Sequence, residues 1–340
     1  MNATTYGLDI AKTIFHMYWV DAKTGEIVNR SFRKAELIEF LAQRPAGRIA
    51  LEACGSAHWW HRKITSLGHQ VVLLHAKFIR PFVQTNKTDA ADARAIWTAV
   101  QQPGMRFVAP KSEDQQAMLA LHRSRALLVK VRTMQVNQLR GQLYEFGVTF
   151  RRGRLAGLKE IREQMAEITA TVPVLVLNNL QSQLARVDQI EEDLAQIERQ
   201  LGVLQKQQAA CRAISEVPGI GRLTATALVA TMGDARSFNS GREFAAFLGL
   251  VPSQRGTGGK TRLGSISKRG DPYLRTLLIH GARSVLTHAR TQTPWQTEIS
   301  KRRPVNVAIV ALANKMARTA WAILAHERAY QHNYVSVKPA

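Results

Sequence analysis

Residues 86–94 read Asn-Lys-Thr-Asp-Ala-Ala-Asp-Ala-Arg and place two carboxylates, Asp89 and Asp92, three positions apart. The apolar residues that follow predict a helix, and positions three apart lie on one face of a helix. Two like charges held that close repel each other. A protein tolerates such repulsion when a cation lies between the two groups or when water solvates both. Further acidic residues at the same point would favour the cation.

The first hundred residues predict an α/β layer with a mixed sheet next to this helix. Helices are predicted over residues 35–42 and 59–67, and strands over residues 4–10, 14–20, 26–33, 48–54 and 70–75. In a ribonuclease-H-like sheet of this order, the first and fourth strands are neighbours. The first carries Asp9 and the fourth carries Glu52.

Asp9 and Glu52 follow apolar residues in strands of buried type, and a buried acid needs a partner. With Asp89 and Asp92 they predict a site for two divalent cations, Mg²⁺ or Mn²⁺, which prefer hard oxygen ligands. Two such ions can clamp the attacking and leaving oxygens of a phosphodiester. The alternative is that Asp89 and Asp92 are solvated acids favoured by the helix dipole.

The chain is strongly basic, with a net charge of +22 and an isoelectric point near 10.7. Residues 216–340 hold 18 Lys and Arg against 6 Asp and Glu, which is +12 of that charge. Such a field attracts polyanions, most commonly nucleic acid, with a membrane surface as the weaker alternative. No signal peptide and no uncharged apolar run of about 18 residues is visible. With only two cysteines, we expect a reduced cytoplasmic protein without a disulfide framework or zinc knuckle.

Residues 108–212 predict a helical domain between an N-terminal domain over 1–107 and a C-terminal domain over 213–340. Apolar residues spaced by three and four from Leu177 to Leu204 predict a coiled-coil seam. The seam would pair with residues 113–146 of the same chain or with a second chain, in a dimer or tetramer. Basic residues along 108–150 indicate either a solvated face or a helix laid along phosphates.

Residues 217–221, Val-Pro-Gly-Ile-Gly, resemble the hairpin of a helix-hairpin-helix element. There Gly219 and Gly221 would let backbone N–H groups face a DNA phosphate at a helix N-terminus. The alternative is a simple glycine turn between two helices. The basic surroundings favour phosphate contact without sequence-specific readout.

Residues 252–271 predict a glycine-rich, basic loop with several hydroxyls. Gly258 and Gly259 permit close approach of the backbone to a ligand. The loop either contacts DNA or RNA, or is catalytic, because a hydroxyl among cations can attack a phosphodiester. The predicted phosphate contacts are Arg255, Lys260, Arg262, Lys268 and Arg269, and, between two final helices over 273–286 and 306–326, Lys301, Arg302 and Arg303.

With these motifs the chain resembles the DEDD-type transposases of bacterial insertion sequences, the bridge-RNA-guided recombinases, over nearly its whole length. The N-terminal matches are Asp9, Leu-Glu-Ala-Cys-Gly-Ser around Glu52, and residues 86–94. The C-terminal matches are residues 217–221, Phe-Ala-Ala-Phe-Leu-Gly-Leu-Val-Pro over 244–252, and Gly-Gly-Lys-Thr-Arg-Leu-Gly-Ser-Ile-Ser-Lys-Arg-Gly-Asp over 258–271. The resemblance implies a RuvC-like N-terminal domain with a catalytic acidic tetrad.

The resemblance also implies a hydroxyl nucleophile in the glycine-rich loop. The family's serine lies five residues after the loop proline and directly before a glycine, and this chain has Thr257 there. A threonine hydroxyl can do the same chemistry, although its β-branch restricts χ1 and crowds the attack. Ser253 is the second candidate.

The partners implied are donor and target DNA and a bridging RNA, whose pairing would choose the sequences. The acids and the loop hydroxyl would then form one composite site, in a protein that works at the bacterial nucleoid. The alternative function is a RuvC-like junction endonuclease that uses metal-activated water and forms no covalent intermediate. A non-catalytic nucleic-acid-binding protein is a third possibility, against which the four acids argue.

Overall fold

The computed structural model describes residues 4–84, 88–151, 153–289 and 292–332. The chain divides into two compact units, Met1–Ser112 and Glu113–Ala340. The first is an α/β unit with a mixed sheet and the second is mainly helical, as the sequence predicts. The division into three domains with boundaries at residues 107 and 212 stays a prediction.

The first unit is a mixed sheet with helices on both faces. Its helices are α1 (Lys34–Ala42), α2 (Ala57–Thr65), α3 (Ala76–Ile79) and α4 (Asp89–Val100). Its strands are β1 (Thr5–Asp9), β2 (Ile14–Val20), β3 (Ile27–Arg33), β4 (Arg48–Glu52), β5 (Gln70–Leu74) and β6 (Phe107–Val108).

The described strands lie in the order β3-β2-β1-β4-β5-β6. β1 pairs in parallel with β4, and β4 with β5, whereas the other neighbouring pairs are antiparallel. The carboxyl ends of β1, β4 and β5 therefore meet at one edge of the sheet. The predicted order of strands and helices is confirmed, and β6 and α3 are additions to it. The RuvC-like assignment stays a prediction.

The two faces of the sheet bury different helices. On one face, Leu37 of α1 and Trp60 and Ile64 of α2 pack in a core with Leu8 and Phe15. The opposite face belongs to α4, whose apolar side packs against the strands in a second core containing Ala50, Leu74, Ala95, Ile96 and Ala99. Because strand residues alternate between faces, Gly7 and Asp9 of β1 lie on the α4 face.

Gly7 allows α4 to approach β1 closely. A Cβ atom at this position would lie 2.4 Å from the Ala93 carbonyl oxygen and 2.5 Å from the Trp97 nitrogen, so a larger side chain does not fit. The Trp97 indole also donates a hydrogen bond to the Thr5 carbonyl at 3.0 Å. The start of α4 is capped by Thr88, whose hydroxyl accepts from the Ala91 amide at 3.2 Å. Asn86 and Lys87 of the opening segment lie outside the described residues.

In the part that the structure describes, the second unit consists of long and short helices and a β-hairpin. Its strands are β7 (Pro252–Thr257) and β8 (Lys260–Ile266). Its helices are α5 (Glu113–Tyr144), α6 (Arg154–Glu163), α7 (Met165–Thr171), α8 (Val174–Gln207), α9 (Ala209–Ser215), α10 (Arg222–Met232), α11 (Gly241–Phe247), α12 (Pro272–His288), α13 (Pro294–Arg302) and α14 (Val305–His326).

The two longest helices, α5 and α8, pack antiparallel within the chain. Arg125 pairs with Glu198 at 2.7 Å and Arg132 with Glu191 at 3.0 Å, so residue numbers rise along one helix and fall along the other. The first part of the α8 seam, from Leu177 to Val187, is buried in a core shared with the C-terminal half of α5. The seam therefore pairs within the chain, which is the first of the two arrangements that the sequence leaves open. A supercoiled geometry and any further pairing with a second chain stay predictions.

A separate core at the C-terminal end of the chain is built around α14. By length and composition α14 is also apolar enough to cross a membrane, and 44% of its most apolar window is buried. Its Ala313, Ala317 and Ala320 are fully buried in that core, which accounts for its apolar composition.

Two C-terminal segments differ from the sequence prediction. Residues 252–266 form an exposed hairpin rather than a loop, because Gly258 and Gly259 adopt φ of 56° and 77° and make the two-residue turn that hairpins favour. Lys301 and Arg302 lie in the last turn of α13 rather than in a connection. That helix begins with a capping box in which Thr293 and Gln296 cap each other's backbone amides, with Pro294 at the first position.

Candidate active site

Four carboxylates from three elements face the same edge of the sheet. Asp9 is the last residue of β1 and Glu52 the last of β4, and both lie on the α4 face by strand alternation. Asp89 and Asp92 occupy the first turn of α4. Asp9, Glu52 and Asp92 are half-buried, whereas Asp89 is exposed.

The raised pKa of Asp9 indicates that the four acids lie near one another. The pKa of Asp9 is raised to about 6, first by burial and then by the charges of Asp92, Asp89 and Glu52, in that order. His16 acts in the opposite direction on the same pKa. The structure therefore brings together the four acids that the sequence singles out.

His16 and Cys54 also lie at this site, although neither is predicted from the sequence. His16 of β2 is paired with Asp9 in the sheet register, and its Nδ1 atom lies 3.7 Å from an Asp89 carboxylate oxygen. That Nδ1 is buried and has no hydrogen-bond partner among the described residues. Burial first, then Glu52 and Asp9, raise the pKa of the Cys54 thiol, which keeps it protonated. No local signal marks either residue, because their positions depend on the pairing of the strands.

The chemistry of this donor set fits a divalent cation. Four carboxylates offer hard oxygen ligands, and a cation among them would relieve the repulsion felt at Asp9. Within the described ranges, no three His, Cys, Asp or Glu side chains are grouped closely enough to hold one ion as they stand. Side-chain rotation would have to bring the carboxylates closer together.

In the second unit, the hairpin places the candidate nucleophile among cations. Directly opposite residues of an antiparallel pair lie on the same face, and the register pairs Thr257 with Lys260 and Arg255 with Arg262. These four side chains are exposed and share one face of the hairpin. Two arginines directly opposite each other repel, which favours an anionic ligand on that face.

The base of the hairpin is packed, and its tip is not. A Cβ atom on Gly249 would lie 2.2 Å from the Arg269 carbonyl oxygen, and Arg275 donates to that oxygen at 3.0 Å. Lys268 adopts a left-handed φ of 52° at this junction. At the tip, a Cβ atom on Gly258 or Gly259 would meet no other atom within 4 Å. The second candidate, Ser253, is half-buried near the base, beside Gly264.

The other predicted phosphate contacts are at separate places in the second unit. Gly219 is required for packing, since a Cβ there would lie 2.9 Å from the Gly281 carbonyl oxygen. Gly221 caps α10 and is exposed. Lys301, Arg302 and Arg303 are exposed at the end of α13. Phosphate binding at all of these residues stays a prediction.

Comparison with known proteins identifies the class of protein to which this chain belongs. Residues 6–147 match a family model of DEDD transposases, and residues 211–299 match the model described as the transposase IS116/IS110/IS902 family. The chain is 44% identical to a probable family 20 transposase of Pseudomonas aeruginosa over 97% of its own length and 99% of the relative.

Two further relatives are transposases of named insertion sequences. The transposase for IS1328 of Yersinia enterocolitica is 38% identical, with 95% of this chain and 97% of the relative covered. The transposase for IS1111A of Coxiella burnetii is also 38% identical, with 96% and 90% covered. The protein is thus a DNA transposase, an enzyme of DNA strand transfer. It belongs to the IS110 family of insertion-sequence transposases.

Proposed function

We propose that this transposase cuts and rejoins DNA with a divalent metal, Mg²⁺ or Mn²⁺, held by Asp9, Glu52, Asp89 and Asp92. The observation that carries the proposal is the meeting of four carboxylates from β1, β4 and α4 at one sheet edge in a basic protein. When bound, the metal would stabilise the charge that develops on the phosphate oxygens during strand cleavage.

The surrounding residues hold these acids in place. The strands fix the Cα positions of Asp9 and Glu52, and the close approach at Gly7 sets how near Asp92 can come. His16, whose buried Nδ1 atom lies 3.7 Å from an Asp89 carboxylate oxygen, would limit how far that carboxylate can turn away from the other acids.

The nucleophile proposed is the hydroxyl of Thr257. Its oxygen would form a bond to phosphorus while the bond to the leaving strand oxygen breaks, giving a protein–DNA phosphoester. The hydroxyl proton passes to solvent or a base, and the leaving oxygen takes up a proton. Arg255, Lys260 and Arg262 on the same hairpin face support this proposal because cations there would stabilise the developing negative charge.

The partners proposed are donor and target DNA, a guide RNA, and further copies of the chain, in the bacterial nucleoid. The strongly basic last third of the chain supports polyanion binding. The RNA and the assembly rest on the family resemblance.

The metal site is tested by an excision assay in cells that carry the insertion sequence with its flanking regions. Asp9→Asn and Asp92→Asn keep the side-chain shape but weaken metal ligation, and we expect both to abolish excision while the proteins stay folded. Glu39→Gln, which changes an exposed acid on α1 in the same way, serves as control and should keep activity. Full activity in both aspartate variants would refute the proposal.

The alternative, a junction endonuclease that uses metal-activated water, is favoured by one observation: threonine stands where the family has serine. A denaturing gel separates the two mechanisms by detecting protein–DNA adducts. We expect an adduct with Thr257→Ser and Ser253→Ala but none with Thr257→Val, which keeps the β-branch and lacks the hydroxyl. Cleavage by Thr257→Val at the normal rate, without an adduct in any variant, would favour the endonuclease.

A further inference from the structure

The segment 75–80 leaves the sheet beside the acids and has no role in the site described so far. It follows β5 directly, and β5 pairs in parallel with β4 so that Leu74 lies opposite Glu52. The Ala53 amide, one residue beyond Glu52, donates to the Leu74 carbonyl at 2.7 Å. His75 therefore begins its segment next to Glu52, at the same sheet edge as the other carboxylates.

Hydrogen bonds within this segment and the buried side chain of Ile79 hold its backbone in place. The His75 ring accepts a hydrogen bond from the Lys77 amide at 3.1 Å, and its carbonyl accepts from the Phe78 amide at 2.8 Å. Ile79 is only 3% exposed and packs into the core shared by the sheet and α4. Ile79 is therefore buried, whereas the neighbouring side chains of Lys77, Phe78 and Arg80 are exposed.

The outward side combines one aromatic ring with three basic side chains. Phe78 is 36% exposed, which leaves a large apolar surface in contact with water. The Lys77 Nζ atom lies 5.8 Å from the centre of that ring, and the His75 ring lies edge-on at 6.3 Å. Arg80, two residues after Phe78, is also exposed.

Lys77 and Arg80 are not paired with the nearby acids of the described residues. Among the residues that the structure describes, neither Lys77 nor Arg80 forms an ion pair with a carboxylate, although Glu52 is close in the fold. An exposed aromatic ring with cations beside it is the arrangement that binds an unstacked base and its flanking phosphates. Such cations would also offset the repulsion between a phosphate and four carboxylates.

We propose that residues 75–80 bind the DNA strand beside the phosphodiester that the acidic site acts on, with Phe78 stacked on a base and Lys77 and Arg80 on phosphates. The location rests on the proposed function, because it takes the acids as the place of cleavage. The ligand is single-stranded or locally opened DNA, since a base within a duplex has no free face for stacking. DNA is chosen over RNA because the chain belongs to a family that transposes DNA.

The test uses the full-length protein and a short single-stranded DNA with 5-iodouracil in place of thymine, irradiated in the presence of EDTA. We expect a photo-crosslink on the peptide that contains Phe78, identified by mass spectrometry. Phe78→Ala should lose this crosslink and weaken binding roughly tenfold, whereas Phe78→Trp should keep both. Lys77→Ala and Arg80→Ala should each make the salt dependence of binding shallower by about 0.7 in log–log slope.

The matched controls lie at the opposite edge of the same sheet. Ile27→Ala removes an exposed apolar side chain and Lys23→Ala an exposed cation, and neither should change binding. Crosslinks elsewhere but not at Phe78, or equal losses in the control variants, would overturn the inference. Unlabelled RNA that displaces the Phe78 crosslink more strongly than DNA of the same sequence would also overturn it.

The two proposals can fail separately in these experiments. If Asp9→Asn abolishes excision but Phe78→Ala changes neither crosslink nor affinity, the acidic site stands and this DNA contact is wrong. If Phe78 crosslinks as expected but Asp9→Asn excises normally, the strand contact stands and the metal site is wrong.

Discussion

The carboxylate of Asp9 is held at the end of β1, where burial and three other acids oppose its ionisation. A solvated aspartate ionises without this opposition, so the ionised form of Asp9 destabilises the fold. Residues in this situation are common at functional sites, where the environment is arranged to bind a ligand rather than to stabilise the fold.

Asp9→Asn should raise the melting temperature of the metal-free protein at neutral pH. The folded-state pKa, about 6, lies above the ordinary value of 3.8, so stability from this group is present below pH 3.8 and is lost as the pH rises through 6. The gain should therefore be larger at pH 7.5 than at pH 4.5, measured by thermal denaturation in EDTA.

Adding Mg²⁺ or Mn²⁺ should make the melting temperature of the wild type higher than that of Asp9→Asn. The wild type should gain stability because the ion binds the folded state, and the variant should gain less. A lower melting temperature for metal-free Asp9→Asn at pH 7.5 would contradict the repulsion on which this expectation depends.

At the scale of elements, the contact between β1 and α4 decides how close Asp92 comes to Asp9. Gly7→Ala would place a methyl group against the Ala93 carbonyl and the Trp97 backbone, and α4 must shift outward to make room. We expect a loss of about 1–3 kcal/mol in unfolding free energy. Excision should also fall although the Gly7→Ala protein stays folded, because the shift of α4 moves Asp92 away from Asp9. Gly141→Ala, in open space within α5, is the control: it should leave excision unchanged and raise the unfolding free energy by up to about 1 kcal/mol, because alanine favours a helix more than glycine does.

A second element-scale contact joins α5, α10 and α12 through His122. Thr226 donates its hydroxyl proton to the Arg222 carbonyl, so His122 Nε2 donates to the Thr226 oxygen at 2.9 Å. The other ring nitrogen, Nδ1, then accepts from the Tyr273 hydroxyl at 2.9 Å. The arrangement requires a neutral imidazole, and burial first, then Arg125, lowers the pKa of His122 to about 4.

The second unit should accordingly lose stability in mild acid. His122 has an ordinary pKa of 6.5, so its contribution is present above pH 6.5 and is lost as the pH falls towards 4, by about 3 kcal/mol. Hydrogen–deuterium exchange of α10 and α12 peptides should report this loss between pH 6.5 and 4.5. His122→Gln should flatten the pH dependence, and the exposed His288→Gln should not.

At the scale of the whole molecule, charge dominates the expected behaviour. The net charge of +22 should make DNA binding steeply dependent on salt. Replacing the opposed Arg255 and Arg262 by Gln should make the log–log slope on duplex DNA shallower by about 1.8, which corresponds to two lost phosphate contacts. Arg186→Gln, which changes an exposed arginine on α8, is the control. An unchanged slope in the double variant would place the DNA away from the hairpin.

Much of the fold is visible in local patterns. The strands of the first unit and the long helix α8 follow from alternation and from apolar spacing of three and four. The exposed hairpin resembles a loop in sequence because its strands bury neither face and so show no alternation, although Gly258-Gly259 is a hairpin signal. Helix α13 is not predicted in spite of its Thr-Pro-Trp-Gln capping signal, because it is short and only partly buried.

The sequence by itself determined the order of the main strands and helices of the first unit, the basic C-terminal third and the identity of the four acids, because each depends on residue type and short-range spacing. Only the tertiary structure decided that Asp9 and Glu52 end neighbouring parallel strands on the face that α4 covers. It also decided that His16, Cys54 and the segment 75–80 lie at that edge. These positions depend on strand register and on the close packing at Gly7, which join segments far apart in the chain and leave no local pattern.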